Sequence, residues 1–265
     1  MVKMTQKQKD RIVKGVKKFQ PILVKAKSAD INESDTVTII TDMLSEIFGY
    51  DKYTNITSEF SIKKTFCDLA IKLDDGKIPL LIECKAIGLA LKDDFVRQAT
   101  NYAADSGIDW VVLTNGACWR VYKVIFSKPI EKELVYEFDM TEINVKKESS
   151  LEMLYFLCIE AFAKSSKNTL EDLYSQKQVM NRYVIGQLIM SEDTAAFVRK
   201  QIKKIYPEIK PSVEEISDII HNEILKREIV EGEDATEAHK KVQKLLKAST
   251  PKASKPKPVT ESNEE

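Results

Sequence analysis

Two acids and a lysine stand out as residues that could do chemistry: Asp68 in the run FCDLAI, and Glu83 and Lys85 in IPLLIECK. Each interrupts an apolar stretch, where a charge is unexpected because desolvating it is costly unless it is paired. Glu83 and Lys85 are two apart on what reads as a strand. Their side chains therefore leave one face, while Ile82 and Cys84 point into the core. Asp74-Asp75-Gly76 reads as a hairpin turn between the two runs. An antiparallel hairpin brings Asp68 to the sheet end that carries Glu83. Two carboxylates so close repel each other unless a cation sits between them. Mg²⁺, or Mn²⁺ in its place, suits the pair, since Mg²⁺ takes one or two carboxylates and completes its shell with water and phosphate oxygens. A lysine beside such an ion orients a water or helps to deprotonate it. The chemistry such a set could do is metal-assisted hydrolysis of a phosphate ester. A plainer reading is an Asp68–Lys85 ion pair that only fixes sheet register.

Composition argues against several other classes. The only histidines, His221 and His239, lie in the polar C-terminal part. That speaks against a histidine-based nuclease, a zinc hydrolase or a Ser-His-Asp enzyme. No GxxxxGK[ST] loop is present, so no nucleotide-driven motor is expected. Basic and acidic residues balance at 41 each, so any DNA contact must come from local patches. Cys67, Cys84, Cys118 and Cys158 form no CxxC pair and read as buried free thiols of a reducing compartment. No apolar run has the length of a membrane span, and MVKMTQKQKDRIVKGVKKF lacks the apolar stretch of a signal peptide. The expectation is a soluble, cytoplasmic protein with no membrane partner.

The elements that must position these residues are legible from the periodicity. Residues 1–29 form a basic amphipathic helix with Ile12, Val13, Val16, Phe19 and Leu23 at helical spacing, with a bend expected near Pro21. Its lysines are either a phosphate-contacting arm or a solvated helix face. A capped helix follows over 32–49, then three strands at 55–62, 66–73 and 78–85. A helix spans 91–106. A second hairpin, 109–114 and 118–124, turns at Asn115-Gly116, with Trp110 and Trp119 as packing residues beside it. This order predicts an α/β sandwich around one sheet, over 30–145. Helices are expected near 149–164, 168–190, 192–204, 212–230 and 234–247, making 146–247 an all-α region. The Pro/Ser/Lys/Glu-rich tail 248–265 reads as disordered.

Taken together, these motifs resemble the PD-(D/E)XK nuclease superfamily, and more closely the N-terminal nuclease domain of type I restriction enzyme R subunits. The resemblance covers roughly residues 30–125. Asp68 stands for the motif's first acid, Glu83-Cys84-Lys85 for its ExK, and Gln98-Ala99-Thr100-Asn101-Tyr102 for the QxxxY signature. SGIDWVVLTNGACWRVYKV is similar to the family's TNG stretch. The resemblance implies a restriction-endonuclease-like core, a central mixed sheet flanked by helices, and Mg²⁺-dependent cleavage of DNA in defence against foreign DNA. It implies metal ligation by Asp68, Glu83 and the Cys84 carbonyl. Glu33, at the start of the first helix of that core, stands where many members place an extra acid. Gln98 and Tyr102 share one helix face, which would border the metal site and contact the scissile strand. The superfamily's proline is absent, since Phe66-Cys67 precedes Asp68. The helical region would serve a homodimer or a restriction-system partner. The competing function is a non-catalytic nucleic-acid-binding or assembly subunit on the same scaffold.

Overall fold

The computed structural model describes residues 3–62, 65–162 and 170–249. The chain divides into two compact units, Met1–Ser175 and Gln176–Glu265.

The first unit opens with α1 (Gln6–Ser28) and α2 (Glu33–Glu46). Thr5 and Gln8 form a capping box at the start of α1. Asn32 caps α2, its side chain accepting the Asp35 N–H at 2.9 Å, so two orphan helix ends are satisfied locally. A six-stranded mixed sheet follows, in spatial order β1 (Ile56–Ile62), β2 (Thr65–Ile71), β3 (Leu80–Cys84), β4 (Trp110–Thr114), β5 (Cys118–Ile125) and β6 (Glu131–Asp139). All neighbours pair antiparallel except β3 and β4, which are parallel. A parallel pair needs a crossover, supplied here by a 3₁₀ turn (Asp93–Val96) and α3 (Arg97–Ser106). The two expected hairpins form where the turn residues stand. Gly76 and Gly116 both adopt positive φ, 82° and 81°, which a side chain would resist.

The sheet is covered on both faces, which explains why β3 and β4 read as continuous apolar runs. On one face Leu69, Ile71, Leu80, Ile82, Cys84 and Val112 pack with α1, α2 and α4 (Glu148–Tyr155). On the other, Ala70, Leu81, Val111 and Leu113 pack with α3. Leu81 and Glu83 are two apart on β3, so Glu83 leaves the sheet on the α3 face.

Several elements differ from their expected form. The basic helix is a layer of the first unit. Ile12, Val16, Phe19 and Leu23 are fully or almost fully buried, each stabilising the unit by roughly 1.5–3 kcal/mol. Lys9 and Lys18 pair with Glu148 and Glu46, and α1 continues through Pro21 to Ser28. The unit also extends beyond residue 145. Leu151, Leu154, Leu157 and Cys158 lie in the same core, and the Tyr50 hydroxyl donates to the Leu157 carbonyl at 2.8 Å. Strand β6 was not expected, because its charged residues hide the alternation of an edge strand.

The second unit is all-α, as expected, but more broken. The helix expected over 168–190 is two: α5 (Leu170–Val179), which passes from the first unit into the second at Ser175, and α6 (Arg182–Ile189). Asn181 turns extended between them and caps α6 through the N–H groups of Tyr183 and Val184. The chain continues through α7 (Glu192–Ile205) and α8 (Val213–Ile219), a π turn (Ile220–Ile224), α9 (Arg227–Val230) and α10 (Glu233–Ser249). The helix expected over 212–230 is interrupted because Leu225 and Lys226 are extended. Residues 163–169 and the expected disordered tail from 250 on lie outside the described residues. Among the described residues no helix is long and apolar enough to cross a membrane.

Candidate active site

The β2–β3 ladder runs from Ile71↔Leu80 to Leu69↔Ile82 and stops there. Side chains take over the backbone groups that the ladder leaves open. The Asp68 carboxylate accepts the Cys84 N–H at 2.7 Å, and the Cys67 thiol donates to the Ile82 carbonyl at 3.3 Å. Asp68 is thereby held beside the end of β3, one step past the last paired residues. On the other side of β3 the parallel ladder continues, and the Lys85 N–H donates to the Thr114 carbonyl at 2.9 Å.

Glu83 and Lys85 project together. The Lys85 ammonium donates to Glu83 Oε1 at 2.6 Å and to the Cys84 carbonyl at 2.8 Å. Glu33, in the first turn of α2, brings Oε2 to 3.9 Å from the same ammonium. An acid at that helix position is also favourable to the helix dipole. The Lys85 partner is thus Glu83, with no direct Asp68–Lys85 hydrogen bond among the described residues.

Three carboxylates (Asp68, Glu83 and Glu33) face one ammonium here, and the negative excess is visible in the titration of both partners. Burial pushes the Glu83 carboxyl above its ordinary range. The Lys85 hydrogen bond pulls it back, and the Asp68 charge adds to the rise. Burial alone would lower Lys85, but the Glu83 hydrogen bond and the charges of Glu83, Asp68 and Glu33 outweigh it and raise the ammonium. Both shifts favour bound protons, chiefly through burial at Glu83 and through the neighbouring acids at Lys85.

The oxygens of Glu83 and Cys84 already surround a cation, namely the Lys85 ammonium, with Glu33 at the edge. An all-oxygen set of this kind fits a hard divalent ion such as Mg²⁺. Among the described residues no group of three or more His, Cys, Asp or Glu could itself hold a metal ion. Asp68, Glu83 and the Cys84 carbonyl are the oxygens that could hold such an ion, with water or substrate completing its shell.

Glu83 and Lys85 open into a cleft of about 610 Å³ whose lining also includes Arg97, Gln98, Asn101 and Tyr102. Gln98 is exposed at its wall, and Tyr102 is almost wholly buried, packed in the α3-side core with Cys67 and Ala99. Burial, and then the nearby Cys67, raise the Tyr102 hydroxyl.

One functional element escaped the sequence reading. Asn115 reads as a turn residue, yet its amide Nδ2 donates to the carbonyls of Ile87 and Leu89, at 3.3 and 2.9 Å. Its Oδ1 accepts the Cys118 N–H at 2.7 Å. The Thr36 hydroxyl accepts the Ile87 N–H at 3.2 Å. The chain leaving Lys85 is thus clamped by the TNG turn on one side and α2 on the other. Trp119 is buried and donates to the Gly116 carbonyl at 2.8 Å. Trp110 packs under Lys123, whose ammonium lies 4.9 Å from the ring centre. Both tryptophans serve packing.

Residues 38–138 match the family described as Type I restriction enzyme R protein N terminus. That span holds Asp68, Glu83, Lys85, Gln98, Tyr102 and the TNG turn, and excludes Glu33. No curated protein and no solved structure gives a significant match.

Proposed function

We propose, on the premise of that family match, that the chain is a Mg²⁺-dependent endonuclease of a restriction system, with Asp68, Glu83 and Lys85 at its centre. The observation that carries this reading is the convergence of Glu83 Oε1 and the Cys84 carbonyl on one cation, with Asp68 tied to the same strand end.

Asp68, Glu83 and the Cys84 carbonyl would hold the ion, with Glu33 near its outer edge. When bound, Mg²⁺ supplies charge neutralisation at the phosphate and a more acidic water. Lys85 donates hydrogen bonds, and its ammonium can orient the attacking water once substrate is in the cleft. Glu83 keeps that ammonium charged. Gln98 and Tyr102 on the cleft wall would bear on the scissile strand and fix its position. Asp68 would help to hold the ion, and it fixes the backbone that carries Glu83.

The test is cleavage of plasmid DNA by the purified chain with Mg²⁺ or Mn²⁺. Lys85→Ala and Asp68→Ala should abolish it. Equal cutting by these variants would remove the site from consideration. The competing reading is a non-catalytic DNA-binding or assembly subunit on the same scaffold. Metal-dependent thermal stabilisation that disappears in Glu83→Ala separates the two.

The second unit would carry the partner contacts, as a homodimer or toward another restriction subunit. Phe197, Ile205 and Tyr206 are exposed there, at 61, 68 and 53%, and apolar surface of that kind marks interaction sites. The protein would act in the cytoplasm, where foreign DNA is met.

A further inference from the structure

Arg97 opens α3 and lines the same cleft as Glu83 and Lys85. We infer that Arg97, with Asn101 one turn further along, grips a DNA phosphate flanking the one to be cut; the inference rests on the nuclease reading above.

The first support is a contrast among the arginines. Arg11, Arg120, Arg182 and Arg227 each pair with a glutamate, and Arg199 donates to the Pro211 carbonyl. Among the described residues Arg97 alone of the six makes no ion pair and no hydrogen bond through its side chain.

The second support is the charge left in the cleft. Among the described residues Lys85 is the other cation in the lining, and its ammonium is engaged by Glu83 and the Cys84 carbonyl. Asp94 and Asp105 also line the cleft, and both repel a polyanion. A phosphate enters where a cation offsets them, and among the described residues of the lining Arg97 is the cation not already engaged. Its planar fork matches phosphate oxygens bidentately. Asn101 follows at i+4, on the same helix face, and lines the same cleft. Its amide adds a neutral donor to the same backbone.

The test is DNA binding without turnover. The full chain is titrated into a fluorescein-labelled duplex, and in parallel into its single strand, in EDTA, over a range of salt. Arg97→Ala should weaken binding roughly tenfold and lower the slope of log affinity against log salt by about 1. Arg97→Lys should fall between, keeping charge but losing the fork. Arg97→Ala binding with wild-type affinity and slope overturns the inference, as does a wild-type chain that binds neither probe. Lys85→Ala cleavage assays run alongside distinguish the failures. Lys85→Ala cutting like wild type sinks the nuclease reading, whereas Arg97→Ala binding like wild type sinks the phosphate grip alone.

Discussion

The carboxylate of Asp68 accepts the backbone N–H of Cys84 at 2.7 Å. An acid of one strand thus replaces the ladder bond that the neighbouring strand would have received. The same side chain that could bind a metal also holds in place the strand end from which Glu83 and Lys85 project. Charge and structure can be separated at this position. Asp68→Asn keeps an oxygen acceptor, so it should fold with near wild-type stability yet lose cleavage and metal-dependent stabilisation. Asp68→Ala leaves a buried N–H unsatisfied and should cost a further ~1–3 kcal/mol in chemical denaturation. Equal stability of the two variants would show that the hydrogen bond contributes nothing.

Lys85 stands where a second cation would compete. Lys85→Met removes the ammonium and leaves Glu83 and Asp68 facing each other. Without divalent ions this variant should melt several degrees below wild type. Added Mg²⁺ should stabilise it by about 2.7 kcal/mol at a hundredfold excess over Kd, and should stabilise wild type less. Thermal melts with and without Mg²⁺ read both effects. An identical Mg²⁺ response in the two proteins would mean that the ion binds elsewhere.

The Arg11–Glu160 pair joins α1 to the 3₁₀ turn Ile159–Phe162 through two bonds of 2.6 and 2.7 Å. Burial pushes the Glu160 carboxyl up, but the Arg11 hydrogen bond and charge outweigh it and leave it below the usual carboxylate range. A depressed acid contributes stability above its unfolded-state pKa and loses it as pH falls through the folded one. Glu160→Gln should therefore cost roughly 1 kcal/mol at neutral pH. The difference from wild type should vanish in strongly acidic buffer. Denaturation curves across pH check this, and a pH-independent difference would assign the loss to packing instead.

Asn115 is predicted to matter for activity beyond its turn. Asn115→Ala removes the donor to the Ile87 and Leu89 carbonyls and the acceptor of the Cys118 N–H. It should loosen the chain after Lys85, speeding amide hydrogen exchange in residues 86–92, and reduce kcat more than DNA affinity. Unchanged exchange in that segment would refute the clamp.

Much of this was legible in the sequence because strand geometry is local. A period of two puts Glu83 and Lys85 on one face whatever surrounds them, and Asp74-Asp75-Gly76 forces the return that brings Asp68 back to Glu83. Asn115-Gly116 marked a turn equally clearly, and the TNG stretch carried the family resemblance that residues 38–138 match. The charged edge strand β6 was hidden, since an edge needs only one apolar face. So was the continuation of the first unit through Leu154 and Cys158, because core membership depends on distant partners.

Sequence alone determined the order of elements from α1 to β5 and the pairing of one acid strand with the ExK strand. Only the tertiary structure decided what meets that strand end. Glu33 arrives from α2 on the far side of the sheet, the α3 residues close the cleft, and Asn115 reaches back to the loop after Lys85. None of these contacts follows from spacing. They depend on how helices pack across a sheet, which is set by the summed fit of side chains far apart in the chain.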